Sequence, residues 1–589
     1  MRENQVSLFF PPTHDFAMPY LALPLLKDYV ERYCGVPCGI TDINLQLYMH
    51  LIGIHQYRKK KNACTRISLT GSLMDGVEAA IDFEDWCLTR LQLGNEQLKD
   101  YKLSLRKLTP KYDATSIRHV YEDISNLNSP LTNMLSFILR NGNYNSTKLF
   151  GISVCVEDQM MPSFALARAI RIEYPNTMIV MGGNIITRLS ETIKNSPLRE
   201  FFDFLVVYEG EEPFAEIVNF VVKGNCALNN QKIIHIPHNT LTTEHAGISQ
   251  ESPKLTVTDL DNIHGGNFAD LALHDYLAPN AVLPIFLGRK CYWGKCDFCS
   301  IHSAWDAATH RQRKLESVVS DLKSFIDSGV HYFRIVDEDC HPELLERLSR
   351  LLFEANLEIY FEAYSRFEPQ FTAFDFCRRI AQSGCTQLFF GLESIGRSTL
   401  RLIGKGSFYS NDNVTAVLNN TGQAGILNYV FVLIGIPGAS IDDERETVSY
   451  IINNTNIHAV ALGTFVVDRA SPIHLNATVR AKYPITLIES QNLTTEVNYL
   501  VGGQDIREDV QLRGHQYICA IFDERPDLAL SFLLNEETRL ILGAKHGNIF
   551  CFDYIRTAGN TRIKYILGAA KRKAFEDRIA RKLNHKRIK

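Results

Sequence analysis

Hydrophobic positions fall into two series of short apolar runs separated by amphipathic stretches. The first series opens with VSLFF at residues 6–10. A helical stretch follows in which Leu23, Leu26 and Val30 recur at three- and four-residue spacing, with Gly35 as its stop. Residues 45–145 change character: they are long, polar and mostly helical in pattern, and the basic run YRKKK reads as a solvated face. This part is expected to be a helical insertion. Alternation resumes with the strand KLFGISVCV, the helix PSFALARAIRIEYP, the strand TMIVMGGN and the stretch FDFLVVYEGEEPF. Short continuous apolar strands between amphipathic helices predict a parallel sheet covered on both faces. Residues 1–225 are therefore expected to form an open, doubly wound, Rossmann-like α/β domain. Ligands of such sheets bind at the carboxyl ends of the strands, where Gly151, Gly182, Gly183, Asn184, Glu209, Gly210 and Glu211 stand. Tight-turn glycines without a ligand are the competing reading.

Residues 226–280 show no clear periodicity and read as a linker. The second series then supplies six strand candidates, VLPIF, YFRIV, EIYFEAYS, TQLFFGLES, LNYVFVLIG and AVALGTFVV. Helical stretches separate most of them, as in SVVSDLKSFIDSG, where Val318, Leu322, Phe325 and Ile326 share one face. Six strand–helix units predict a partial (β/α)6, TIM-like barrel over residues 281–489, active at the carboxyl ends of its strands. Residues 490–589 read as mainly helical. The last 28 residues hold eleven Lys or Arg against two acidic residues, a basic tail read as a solvated terminal helix.

Composition narrows the function classes. A chain of 589 residues exceeds one ordinary core. The formal net charge of -4 gives no global attraction to nucleic acid or anionic membrane. No apolar run is long enough to span a bilayer, and the N-terminal stretch lacks the long apolar core of a signal peptide. The expectation is a cytoplasmic enzyme with its 14 cysteines reduced. Only three of these cluster: Cys291, Cys296 and Cys299, in LGRKCYWGKCDFCSIHSAW directly after the first strand of the second series.

Three thiols admit two readings. With His302 they could close a Cys₃His zinc site, the structural alternative. They could instead hold an iron–sulfur cluster and leave one iron open to chemistry. At this point the stretch CYWGKCDFC resembles the cluster loop of radical S-adenosylmethionine enzymes, and among them the members with an N-terminal cobalamin-binding domain. The first gap is four residues here, against three in the commonest form of that loop. The resemblance covers residues 1–225 and 280–475.

The resemblance implies a 4Fe-4S cluster on Cys291, Cys296 and Cys299, and a 5′-deoxyadenosyl radical made from S-adenosylmethionine. It places S-adenosylmethionine against Asp337, Glu338 and Asp339 of VDEDCH, Glu393 and Ser394 of GLES, and Gly435 and Pro437 of GIPG. It implies cobalamin at Ser153, Gly182, Gly183, Asn184, Glu209, Gly210 and Glu211. The DxHxxG motif that supplies a histidine to cobalt is absent, and the surroundings of His14 do not match it, so cobalamin is expected without a protein ligand on its lower face. The implied reaction is methylation, or another rearrangement, of an unactivated carbon in a small-molecule or peptide substrate. The stretch DRASPIH resembles one found in peptide maturases. An electron donor such as flavodoxin or ferredoxin is the implied partner, with no membrane and no nucleic acid. Two other classes stay open: a cobalamin-binding sensor or carrier, and a zinc-stabilised interaction protein.

Overall fold

The computed structural model describes residues 3–224, 227–236, 258–301, 305, 309–406 and 408–585. It contains two six-stranded sheets. The first begins with β1 (Val6–Phe10), fully buried along its length, and β2 (Cys38–Asp42). The intervening helix Ala22–Cys34 buries Leu23 and Val30 and ends at Gly35, whose φ of 62° is the left-handed stop that glycine takes most easily. Five helices then follow between Ile43 and Arg140, interrupted by a small hairpin of β3 (Tyr101–Leu103) and β4 (Leu108–Pro110). The helix Leu73–Leu93 starts at a capping box, with Ser72 and Asp75 each satisfying the other's backbone N–H.

The sheet continues through β5 (Leu149–Ser153), β6 (Met178–Gly182), β7 (Phe204–Val206) and β8 (Ile233–His235), in the spatial order β2-β1-β5-β6-β7-β8. Every pairing is parallel except that of β7 with β8. Two strands depart from the sequence reading. β2 was not foreseen, and β8 lies within the supposed linker as an antiparallel edge strand. The rest of that stretch falls partly outside the described residues.

The second sheet is built from β9 (Val282–Ile285), β12 (Tyr332–Ile335), β13 (Tyr360–Ser365), β14 (Cys385–Glu393), β15 (Leu427–Ile434) and β16 (Ala459–Thr464). All six are parallel and stand in sequence order, as a partial barrel requires. β10 (Gly288–Arg289) and β11 (Arg311–Gln312) form a short antiparallel ribbon above β9. The helix Leu315–Asp327 buries Val318 and Leu322 against the barrel, while Phe325 and Ile326 are partly buried on the same core.

Beyond the barrel, β17 (Val467–Asp468), β18 (Ile485–Ile488) and β19 (Glu496–Val501) form a three-stranded antiparallel sheet. The helical C-terminal region therefore starts at Arg507 and not near 490. Its helix Glu536–His546 lies against the lower barrel, with Leu540 and Ile541 clustered with Val282 and Tyr332. The terminal helix Asn560–His585 is not wholly solvated as expected: Ile566, Ala570 and Ala574 are buried, and Lys573 donates to the carbonyls of Phe532 and Leu533. No helix among the described residues is long and apolar enough to cross a membrane.

Candidate active site

The cysteine loop leaves the barrel mouth after β9. Lys290, just before Cys291, takes a φ of 73°, a left-handed conformation that costs a non-glycine residue on the order of 1–3 kcal/mol. The VDEDCH stretch after β12 holds this turn in place. Asp337 Oδ1 accepts the Leu287 N–H at 2.8 Å, and Glu338 Oε2 accepts the Lys290 N–H at 3.1 Å. Glu338 Oε1 accepts the Trp305 indole N–H at 2.7 Å, and Asp339 Oδ2 stands 3.4 Å from the Cys291 Sγ that donates to it. The three acids thus have loop-holding contacts in addition to any role towards a ligand. Asp337 Oδ2 and Asp339 Oδ1 are buried without a hydrogen-bond partner, whereas both Glu338 oxygens are engaged.

Burial pushes the thiols of Cys291 and Cys299 up to about 12. It raises Cys296 as well, against the pull of Lys405 and Arg366. Thiols so placed keep their protons until a metal displaces them. Two cations beside Cys296 are suited to the negative charge of a thiolate-bound cluster. Arg366 lies 4.1 Å above the Trp293 ring and donates to the Lys405 carbonyl at 2.7 Å. Lys405 Nζ is 3.0 Å from Glu393 Oε1. The loop that carries Lys405 approaches the cysteines closely through Gly404, where a Cβ would fall 2.4 Å from the Lys295 carbonyl oxygen. Cys340 and Cys385 are core thiols. Among the described residues no three His, Cys, Asp or Glu side chains converge on a single-ion site, and His302 lies outside those residues.

Of the other residues assigned to S-adenosylmethionine, the structure brings Glu393 to the mouth beside Lys405 at a positive φ of 58°. Ser394 instead builds a turn: its hydroxyl accepts the Gly396 N–H at 3.0 Å and lies 3.3 Å from Thr447 Oγ1. Gly435 also has a turn role, with a φ of 72° and its N–H donated to Glu444 Oε1 at 2.7 Å. A Cβ on Gly435 would stand 2.3 Å from Val510 Cγ1, so packing closes this position. Pro437 follows in the same turn before the helix Ile441–Asn453.

The carboxyl ends of the two sheets meet at a cavity of about 520 Å³. From the first sheet its wall includes Ser153, Gly182, Gly183, Asn184, Glu209, Gly210 and Glu211, all seven residues assigned to cobalamin. From the barrel it includes Phe286, Gly288, Arg289, Val336, Glu338 and Tyr364. At Gly182 a Cβ would meet Val206 only at 3.5 Å, so a side chain there would fit the sheet and fill the cavity. At Gly183, with a φ of 110°, a Cβ would come 2.3 Å from the Val154 carbonyl oxygen. Asn184 Oδ1 is a buried acceptor without a hydrogen-bond partner. These features fit a polar, amide-bearing ligand lying on the strand ends. His14 also lines the cavity, with Nδ1 donating to the Asp15 carbonyl at 2.7 Å.

The acids of this wall have partners that the sequence reading missed. Arg289 makes a bidentate pair with Glu211 (3.2 and 2.5 Å) and lies 3.5 Å from Glu209, which also pairs with Arg311. Burial alone would raise Glu211, yet the Arg289 guanidinium holds its carboxyl below the ordinary glutamate range. Two further ties close the interface: Arg188 to Asp468 at 2.7 Å, with Ser300 on the same carboxylate, and Glu157 to Thr494 at 2.9 Å.

The profile of the Radical SAM superfamily matches residues 285–451, from β9 to the helix after β15. An uncharacterized methyltransferase of Pyrococcus horikoshii is 22% identical over 299 residues, 49% of this chain and 61% of that protein. The anaerobic magnesium-protoporphyrin IX monomethyl ester cyclase of Synechocystis is 23% identical over 249 residues, 41% of this chain and 47% of that protein. The chain thus spans less than two thirds of the length of these curated relatives. Among solved structures, the radical S-adenosylmethionine methyltransferase TsrM from Kitasatospora setae, with cobalamin and a [4Fe-4S] cluster bound, gives a TM-score of 0.56 at 13% identity, covering 98% of this chain and 99% of that one. The cobalamin-dependent S-adenosylmethionine radical enzyme OxsB, with aqua-cobalamin bound, gives 0.57 at 12% identity, covering 98% and 84%. At such identities the likeness concerns the fold.

Proposed function

For a chain that carries a radical SAM superfamily domain, we propose a cobalamin-dependent radical S-adenosylmethionine enzyme that methylates an unactivated carbon of a small-molecule or peptide substrate. The single observation that carries this reading is the shared cavity. Glycine-rich strand ends from the first sheet and the base of the cysteine loop from the barrel form its opposite walls. TsrM and OxsB, similar in fold over nearly the whole chain, are solved with cobalamin bound.

Cys291, Cys296 and Cys299 would hold the cluster, with Arg366 and Lys405 offsetting its charge. Asp339, with one buried oxygen unpartnered and the other 3.4 Å from Cys291 Sγ, is the best-placed acid for the amino group of S-adenosylmethionine. Ser153, Gly182, Gly183 and Asn184 would hold the corrinoid on the strand ends of the first sheet. When bound, the cluster and corrinoid supply electron transfer and methyl transfer, the chemistry that no side chain can supply. The protein orients the ligands and excludes water, with Trp305 and Phe286 on the cavity wall. A small electron-transfer protein such as flavodoxin or ferredoxin would deliver the electron.

The test is Gly182→Leu. In the anaerobically reconstituted protein exposed to hydroxocobalamin and desalted, the variant is expected to lose most of the corrinoid absorbance while keeping its iron. Corrinoid retained at the wild-type level would remove cobalamin from this cavity.

A further inference from the structure

The inward row of the barrel carries a feature that the cofactors do not explain. Barrel interiors are ordinarily filled by packed, branched side chains. Here adjacent strands place aromatic rings at the same level: Tyr364 on β13 is in register with Phe389 on β14, and Phe389 with Tyr429 on β15. Phe431, two residues further along β15, joins them. Most of the rings are nearly parallel: Tyr364 and Phe389 have centroids 4.6 Å apart at 20°, Tyr429 and Phe431 4.9 Å at 25°, and Tyr364 and Phe431 6.0 Å at 13°, while Tyr429 is tilted 48° from Phe389. Although they face the interior, Tyr364, Tyr429 and Phe431 are only half-buried. Tyr364 lines the same cavity that reaches the cysteine loop.

Below the rings lies a charged floor in which Arg334 faces three carboxylates. Arg334 on β12 bonds Glu362 through Nε at 2.5 Å, and lies 2.9 Å from Glu536 and 3.1 Å from Glu537. Glu362 also accepts from the Gln387 amide at 2.6 Å. This floor is charged and strongly hydrogen-bonded, whereas the flat ring faces above it are matched to another π-system.

We propose that the barrel interior selects substrates bearing a planar, conjugated ring, which lies against the faces of Tyr364 and Phe431 with the cysteine loop above it. This deepens the enzymatic reading and rests on it for the site's purpose, but the ring slot is measurable by itself. The experiment uses the full-length, cluster-reconstituted protein and two uncharged probes of similar size, 2-naphthol and its saturated counterpart 2-decalol, with affinities read by equilibrium dialysis. The expected result is about tenfold tighter binding of the naphthol. Phe431→Leu should remove most of that preference, leaving decalol binding unchanged, while Tyr364→Phe, which keeps the ring, should retain it. Equal binding of the two probes, no binding of either, or a preference that survives Phe431→Leu in a variant with wild-type melting would overturn the proposal. Iron content and S-adenosylmethionine binding are measured on the same samples. Their loss with the ring preference intact would count against the enzymatic reading alone, and their presence without the preference against the ring slot alone.

Discussion

Replacing Arg289 by methionine tests whether the two sheets are joined electrostatically at the cavity. Arg289 and Arg311 face Glu209 and Glu211 in a quartet of balanced charge, and the side chains of Arg289, Glu209 and Glu211 are 8%, 0% and 5% exposed. Glu209 keeps Arg311 when Arg289 is removed, but Glu211 loses its bidentate partner. An uncompensated buried charge of this kind costs about 3–5 kcal/mol. At about 2 °C per kcal/mol, the melting midpoint should fall by roughly 6–10 °C. The double variant Arg289→Met/Glu211→Leu should recover most of this loss, because no unpaired charge stays buried. Differential scanning calorimetry of the four proteins in the cycle measures both effects. The pH dependence has a defined sign. In the wild type, the depressed Glu211 contributes fully above the ordinary glutamate value near 4.3, and this contribution is lost as pH falls through its lower folded value. In Arg289→Met the same buried carboxyl is unpaired and raised, so acidification neutralises it and the gap to wild type narrows as pH drops below neutral. A midpoint change under about 2 °C, a double variant no better than the single, or a gap that widens on acidification would each refute the buried-quartet argument.

Three further outcomes are expected. Asp339→Asn should weaken S-adenosylmethionine binding by roughly ten- to a hundredfold, the worth of one charge-assisted bond, with iron retained; unchanged affinity by calorimetric titration would remove Asp339 from that role. His14→Ala should leave the electron paramagnetic resonance spectrum of the cobalt(II) corrinoid unchanged, whereas nitrogen splitting lost in the variant would reveal a histidine ligand. His458, buried with Nδ1 accepting the Asn428 N–H at 2.9 Å, is pushed down to about 3 by desolvation and then by Arg525; its contribution is complete above about pH 6.5 and falls below it by about 1.4 kcal/mol per pH unit towards 3, and chemical denaturation of His458→Asn between pH 5 and 7 should show a shallower acid loss.

The barrel was legible because its strands are continuous apolar runs separated by helices of clear period, and β9 and β12 to β16 fall where those runs stand. β2 escaped because CGITD breaks its apolar run with Gly39 and Asp42, and it is a strand through its parallel pairing with β1. The ITLI strand lay unread inside the barrel's bounds and EVNYLV was absorbed into a helical reading, because each pairs mainly with the other, which no local period announces. In the site, spacing singled out the three cysteines as a cluster, and strand-end position singled out glycines that line the cavity. The partners of Glu209 and Glu211 could not be read, since Arg311 and Arg289 lie 102 and 78 residues away and meet them only when the two sheets face each other. Arg366 and Lys405 reach Cys296 by the same route, through barrel closure, and Lys405 additionally needs Gly404 to bring its loop close.

The most direct measurement of the central claim is iron and sulfide content after anaerobic reconstitution, for the wild type and for Cys291→Ala, Cys296→Ala, Cys299→Ala, Cys340→Ala and Cys385→Ala. The account predicts about four irons and about four sulfides per chain in the wild type and in the two core-cysteine variants, and loss of both from each loop variant. One tightly held zinc in place of iron, or an equal dependence on Cys340 or Cys385, would contradict it.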